Sequence, residues 1–162
     1  MTLYWRSQVL EQDLKEVEKI LSSSGFFLAE EIKVGVELVL EHLQKGEKES
    51  GYSFLFAHVQ EKEPPVAFSC FGPIPCTIHS FDLYWIAVLK EWRNKGLGKI
   101  LVEKTEEETQ KKQGKLICIE TSSKELYIPT QNFYKGRGYV LESCIEDFYA
   151  PKDNKLTFIK RL

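Results

Sequence analysis

The chain has 162 residues, 43% of them hydrophobic, 28% charged and 12% aromatic. That length suits one domain with a core able to bury about 70% of the unfolded chain's surface. Lys and Arg number 22 against 24 Asp and Glu, a net charge of −2, which argues against nucleic acid as the main partner. No apolar run approaches the ~20 residues of a membrane span. The start, Met1-Thr2-Leu3-Tyr4-Trp5-Arg6, lacks a basic region followed by an apolar core. No leader is therefore expected, and a cytoplasmic protein is the default.

In chain order, Val9 to Leu21 carries apolar residues at helical spacing and stops at Ser22-Ser23-Ser24-Gly25. A second amphipathic stretch runs from about Ala29 to Leu43 and ends at Gly46, with a charged loop expected after it. Tyr52 to Val59 alternates as a strand does, Pro64-Pro65 turns the chain, and Val66 to Phe71 is a second strand. Gly72-Pro73-Ile74-Pro75 breaks it, and Thr77 to Val88 resumes extended structure. These strands read as an antiparallel meander.

A helix follows from Leu97 to about Gln113, with Gly114 placed to be its left-handed C′ residue. Lys115 to Glu120 is a short apolar strand, so strand, helix and strand make a right-handed βαβ unit with its strands parallel. Pro129 suits the first turn of a short helix ending near Gly138. Tyr139 to Tyr149 alternates again, and Pro151-Lys152-Asp153-Asn154 turns into a last strand, Leu156 to Ile159. The expected class is α+β: a mixed twisted sheet with an N-terminal meander, a central parallel unit and a C-terminal hairpin, flanked by about four helices. Cys70, Cys76, Cys118 and Cys144 form no Cys-x-x-Cys pair and have no histidine at ligand spacing. They read as structural thiols, and no metal is expected.

The run Arg93-Asn94-Lys95-Gly96-Leu97-Gly98 lies between a strand and a helix. Glycines let the backbone approach an anion, and the first N–H groups of a helix lack internal partners. The helix dipole and the charges of Arg93, Lys95 and Lys99 favour phosphate there. A plain βα turn remains the alternative. The dinucleotide fingerprint fails because Leu101 stands where a third small residue belongs, and the P-loop fails because Ile100 follows Gly98-Lys99.

The Arg-x-x-Gly-x-Gly spacing resembles the pyrophosphate loop of the GNAT superfamily of acyl-CoA-dependent N-acyltransferases. The preceding strand, from Asp82 to Val88, and the segment Phe133-Tyr134-Lys135-Gly136-Arg137-Gly138-Tyr139 resemble that family too. So does the element order ααβββαβαββ. The resemblance implies one N-acetyltransferase domain over residues 1–162, acetyl-CoA as cosubstrate and a primary amine as acceptor attacking directly in a ternary complex. It implies a cofactor-binding loop of Arg93, Asn94, Lys95, Gly96, Leu97, Gly98 and Lys99, with the backbone N–H groups from Lys95 to Lys99 cradling the pyrophosphate. Ile86, Ala87 and Val88, on a strand splayed by a bulge, would hold the pantetheine arm. A backbone N–H near Val88 would face the thioester oxygen.

The same resemblance casts Tyr134 as the acid that protonates the departing thiolate, against a packing role for the same ring. Asp82 would be the base, an anchor for a cationic acceptor, or a solvated strand-end residue, with His79 a lesser base candidate. The family's pantetheine-binding Asn falls at Tyr127 here, and Asn132 lies nearby. Trp85, Tyr84, Phe54, Phe56, Phe68 and Phe71 are candidates for an aromatic acceptor wall, or for core. The expected acceptor is a small-molecule or amino-acid-like amine, with no nucleic-acid or membrane partner and room for a homodimer. The alternatives are a protein lysine or N-terminal acetyltransferase and a non-catalytic acyl-CoA sensor.

Overall fold

The computed structural model describes residues 2–162; Met1, the first residue of the stretch inspected for a leader, lies outside them. The elements are β1 (Tyr4–Arg6), α1 (Asp13–Ser23), α2 (Ala29–Ser50), β2 (Ser53–His58), β3 (Ala67–Pro73), β4 (Ser80–Val88), α3 (Leu97–Lys111), β5 (Leu116–Ser122), α4 (Ile128–Lys135), β6 (Val140–Ala150) and β7 (Asp153–Arg161). One seven-stranded sheet has the order β1-β2-β3-β4-β5-β7-β6. The β1 to β4 part is the antiparallel meander, β4 and β5 are parallel, and β7 sits antiparallel between β5 and β6. The mixed sheet, the parallel unit, the terminal hairpin and the four helices are as expected.

The differences are local. The strand β1 was not expected, because three residues show no alternation; it pairs Tyr4 with His58 and Arg6 with Phe56. The first helix begins at Asp13 rather than Val9. The Asp13 carboxylate is fully buried and accepts from the Leu10 N–H and from the Arg6 guanidinium, each at 2.8 Å. Helix α2 breaks at Gly46 (φ +77°), as expected, but a further helical turn follows instead of a loop.

The C′ position of α3 is Gln113 (φ +67°), not Gly114. The Gly114 N–H reaches Thr109 O and the Gln113 N–H reaches Gln110 O, both at 2.9 Å, the two bonds of a Schellman end. Gly114 is needed for space, since a Cβ there would lie 2.9 Å from the Phe81 ring.

The sheet separates two apolar layers. One, under α3 and α4, includes Leu83, Leu97, Leu101, Ile117, Ile119 and Phe158. The other, under α1 and α2, includes Val17, Ile20, Leu21, Val39, Phe54, Phe56 and Phe68. Each fully buried Leu, Ile or Phe contributes about 1.5–3 kcal/mol relative to exposure. Strand alternation along β4 is interrupted where the register shifts from Phe71↔Leu83 to Cys70↔Trp85. Tyr84 is the extra residue of that bulge. Before it Leu83 faces the α3 layer; after it Ile86 faces that layer and Trp85 and Ala87 face the other.

Candidate active site

The parallel ladder between β4 and β5 stops after Asp82↔Cys118. Beyond that point β4 stays with β3 to Val88, while β5 stays with β7 to Ser122. The two strands diverge and leave a cleft of about 870 Å³. Its floor is Tyr84, Trp85 and Ile86 from β4 and Glu120, Thr121 and Ser122 from β5. Phe26, Phe27 and Glu31 close one side, and Tyr127, Thr130 and Tyr134 the other. Tyr149, Ala150 and Asp153 of the hairpin form the far rim.

The Leu89 N–H donates to Val66 O at 2.8 Å. By alternation the main-chain groups of Ala87 turn to β3, and those of Ile86 and Val88 turn to the edge that β5 has left. Val88 O is taken there by Arg93 Nε at 3.1 Å, and Arg93 also reaches Ser24 O. The Arg93 side chain thus ties its loop to β4 and to the end of α1.

A single 3₁₀ turn, Lys90–Trp92, leads into the loop. Asn94 (φ +58°) and Gly96 (φ +80°) are left-handed, a conformation that Gly and, less readily, Asn adopt without much strain. Gly96 is the N-cap of α3, and an added Cβ would meet nothing within 4 Å, so its requirement is conformational. Among the described residues, no N–H from Asn94 to Lys99 has a hydrogen-bond partner. They leave a set of free donors at the helix N-terminus, a backbone arrangement that suits an anion. Lys95 lies over Trp92 at 4.5 Å and Lys99 beside Glu103 at 3.8 Å. Leu97 anchors the first turn in the core, and a Cβ on Gly98 would lie 3.7 Å from the Phe133 ring and 3.9 Å from Val88, so loop, β4 and α4 come close there.

Tyr134 is 4% exposed and lines the cleft. Its ring packs edge-on against Phe133 and Tyr139, and burial pushes its phenol well above the usual range. Its hydroxyl has no hydrogen-bond partner among the described residues. The helix that carries it is braced: Gln131 donates to Ser122 O at 3.0 Å, and the Tyr139 hydroxyl donates to Glu106, which also pairs with Lys160 at 2.7 Å.

Asp82 stands at the fork, half-buried, and is not among the residues that line the cleft. Burial raises its carboxyl above the usual range, the Glu120 charge adds to that, and Lys155 partly opposes it. Tyr84 beside it is pushed up to about 12 by burial and by the Asp82 charge. His79 donates to Gln113 O at 2.8 Å and does not line the cleft. Tyr127 lines the cleft and packs edge-on against Phe26 at 5.1 Å, while Asn132 is exposed and outside it.

Of the candidate aromatics, Trp85 and Tyr84 line the cleft; Phe54, Phe56, Phe68 and Phe71 are core. Sequence reasoning did not single out Phe26, Phe27, Glu120 or Tyr149. Adjacent aromatics in a polar, glycine-containing loop were the available signal for the first two. A charge ending an apolar strand was the signal for Glu120. The four thiols are free, and among the described residues no helix is long and apolar enough to cross a membrane.

A family model, the acetyltransferase (GNAT) domain, matches residues 50–141. A solved structure from Desulfovibrio desulfuricans, described as an acetyltransferase of the GNAT family, is 37% identical, with a TM-score of 0.94 over 99% of each chain. The ribosomal-protein-S18-alanine N-acetyltransferase of Escherichia coli is 16% identical, with a TM-score of 0.75 over 99% of this chain and 94% of that one. An aminoglycoside 6′-N-acetyltransferase complexed with coenzyme A is also 16% identical, at 0.74 over 99% and 97%. These last two share the fold. No curated protein sequence matches the chain significantly.

Proposed function

The chain belongs to the GNAT acetyltransferase family and is an acyl-CoA-dependent acetyltransferase, and from that premise we propose that it moves the acetyl group of acetyl-CoA to a primary amine of a small molecule or amino-acid-like acceptor. Residues 1–162 act as one N-acetyltransferase domain, in the cytoplasm. The reaction is direct attack in a ternary complex. The observation that carries this reading is the cleft at the β4–β5 fork. It is walled by Phe26, Phe27, Trp85 and Tyr127, and the phenol-bearing Tyr134 is set in its side. That wall suits an amine borne on an apolar or aromatic body.

In this reading the free N–H groups from Asn94 to Lys99 take the pyrophosphate of the donor. The open main-chain edge at Ile86 and Val88 pairs with the amides of the pantetheine arm, while Ala87 keeps that edge in place through β3. Amine nitrogen attacks the thioester carbon, the C–N bond forms and the C–S bond breaks. Tyr134 gives its proton to the leaving sulfur; an ordinary phenol is a weaker acid than a thiol, so it is still protonated at neutral pH. Asp82, half-buried at the fork and outside the cleft lining, acts on the acceptor's ammonium through an intervening group rather than by direct contact.

A protein acceptor is the second reading. The cleft is open, and Leu28, Leu126 and Tyr149 on its rim are exposed, as a surface that receives a peptide would be. A free-thiol assay with acetyl-CoA across small amines, amino acids and N-terminal peptides tests both. Turnover with aryl-alkylamines and not with peptides supports the small acceptor; the reverse supports the protein one. Acetyl-CoA binding with no turnover on any member would leave only a sensor.

A further inference from the structure

We infer that Glu120 is the carboxylate that contacts the acceptor nitrogen and takes its proton, and that Asp82 acts through Glu120 as a positioning residue. The inference rests on the acetyltransfer reading above and adds a residue to it. Four observations carry it. Glu120 lines the cleft and Asp82 does not. Cys118, the strand partner of Asp82, is two residues before Glu120 on β5, so all three side chains share one face of the sheet. Ile117 and Ile119 point into the opposite, α3-side layer. Lys155 of β7 pairs with Glu120 at 3.0 Å and holds its carboxylate at the fork, with its own ammonium stacked on Phe148 at 4.3 Å.

Asp82 from β4, Cys118 from β5, Lys155 from β7 and Tyr149 from β6 lie within electrostatic reach of Glu120, and the cleft that it lines also holds Glu31 from α2, Lys124 from the segment after β5 and Asp153 from β7. Tyr134 lies in the α4 wall of the same cleft. An acceptor placed between Tyr134 and Glu120 has an acid on the sulfur side and a base on the nitrogen side. The proton balance closes on that arrangement. The bound ammonium loses one proton to Glu120 and attacks. The nitrogen of the tetrahedral adduct loses a second, which balances the proton that Tyr134 gives to sulfur. One proton leaves to solvent per acetamide and thiol formed.

The test uses the full chain, acetyl-CoA and phenethylamine, with thiol release read from pH 6 to 9.5. Glu120→Gln is expected to lower kcat about 100-fold with KM for phenethylamine changed less than threefold, acetyl-CoA affinity unchanged by calorimetry, and partial recovery at pH 9.5. Asp82→Asn is expected to lower kcat less. The double variant should fall no further than Glu120→Gln alone, because a residue acting through another adds nothing once that one is gone. A Glu120→Gln variant within twofold of wild type overturns the inference. So does one that only raises KM, which would make Glu120 an anchor, and so does a double variant whose losses multiply. If the wild-type chain binds acetyl-CoA but releases no thiol with phenethylamine, the apolar-amine reading itself fails, an outcome separate from any effect of Glu120.

Discussion

Replacing Tyr134 with Phe separates chemistry from packing better than any other change in this site. The ring is 4% exposed and makes its edge-on contacts through carbon, to Phe133 at 5.4 Å and Tyr139 at 5.6 Å between centroids. Phe keeps those contacts. The hydroxyl has no partner among the described residues, so its removal orphans no other group and creates no unsatisfied donor. The stability change should stay under about 1 kcal/mol, which for a domain of this size is a shift of roughly 2–4 °C in Tm at most. The rate effect is of another order. Without a positioned acid the thiolate must leave unprotonated or wait for water, and kcat should fall about 10- to 1000-fold. Acetyl-CoA affinity should hold, because no binding contact is lost. Stopped-time thiol release with saturating acetyl-CoA, calorimetry for binding, and a thermal melt together read all three quantities. A variant that melts normally, binds normally and turns over normally would reduce Tyr134 to a core residue and refute the acid assignment.

Three further outcomes are expected. Gly96→Val should cost acetyl-CoA binding by several kcal/mol, of the order of a lost set of charge-assisted bonds, whereas Gly96→Asn, tolerated at φ +80°, should cost far less; calorimetry on folded variants checks the contrast, and equal affinities would remove the loop from the binding site. Gly72→Ala should destabilise the fold by about 3 kcal/mol or more, since its Cβ would sit 1.8 Å from the Gly51 carbonyl oxygen and backbone must move; an unchanged urea midpoint contradicts this. Asp82→Asn should stabilise the chain at neutral pH. The folded-state carboxyl is raised by burial and by Glu120, so wild type loses stability as pH climbs from the unfolded Asp value of about 3.9. The variant's advantage should vanish in acid melts below that pH, and a constant difference across pH would contradict the cause given.

Much of the fold was legible because its signals are local and repeated. The helical spacing of Val17, Ile20 and Leu21 marks a buried face, and Gly46 breaks its helix by needing φ > 0. The strand-loop-helix-strand run from Ser80 to Ser122 announces a parallel pair. What failed was short or paired across distance. Three residues of β1 cannot display alternation, and β7 is longer than its apolar run because the Asn154 N–H donates to Ser123 Oγ and the Lys155 ammonium pairs with Glu120 while both residues are still in the strand. The bulge at Tyr84 depends on the register of β3, which β4 alone does not encode. The loop Arg93–Gly98 was visible as a motif. Of the cleft lining, Tyr84, Trp85 and Tyr127 were singled out from the sequence, whereas Phe26, Glu120 and Tyr149 were not, since they come from three further segments.

The cleft follows from strand loyalties rather than from its loops. β4 keeps its partner β3 as far as Val88, and β5 keeps β7 as far as Ser122, so the two central strands part because each is held from outside. The bulge puts Tyr84 and Trp85 on neighbouring, not opposite, sides, and Trp85 is then gripped by the helix pair. Phe27 packs edge-on against it at 5.1 Å, and Gly35 lets α2 approach so closely that a Cβ would lie 3.6 Å from the indole and 2.6 Å from Leu21 Cδ1. On the other bank, Lys155 joins Glu120 to β7 and Ser122 donates to buried Asp153. Each bank is held by its own outer strand, and the two share the α3-side layer, with Leu83 on one and Ile119 and Phe158 on the other. The open edge at Ile86 and Val88 therefore costs little to maintain, although buried main-chain groups want partners. A ligand that carries amides along its length gains most from such an edge, which is why the fork and the free N–H groups at the start of α3 are proposed as one site.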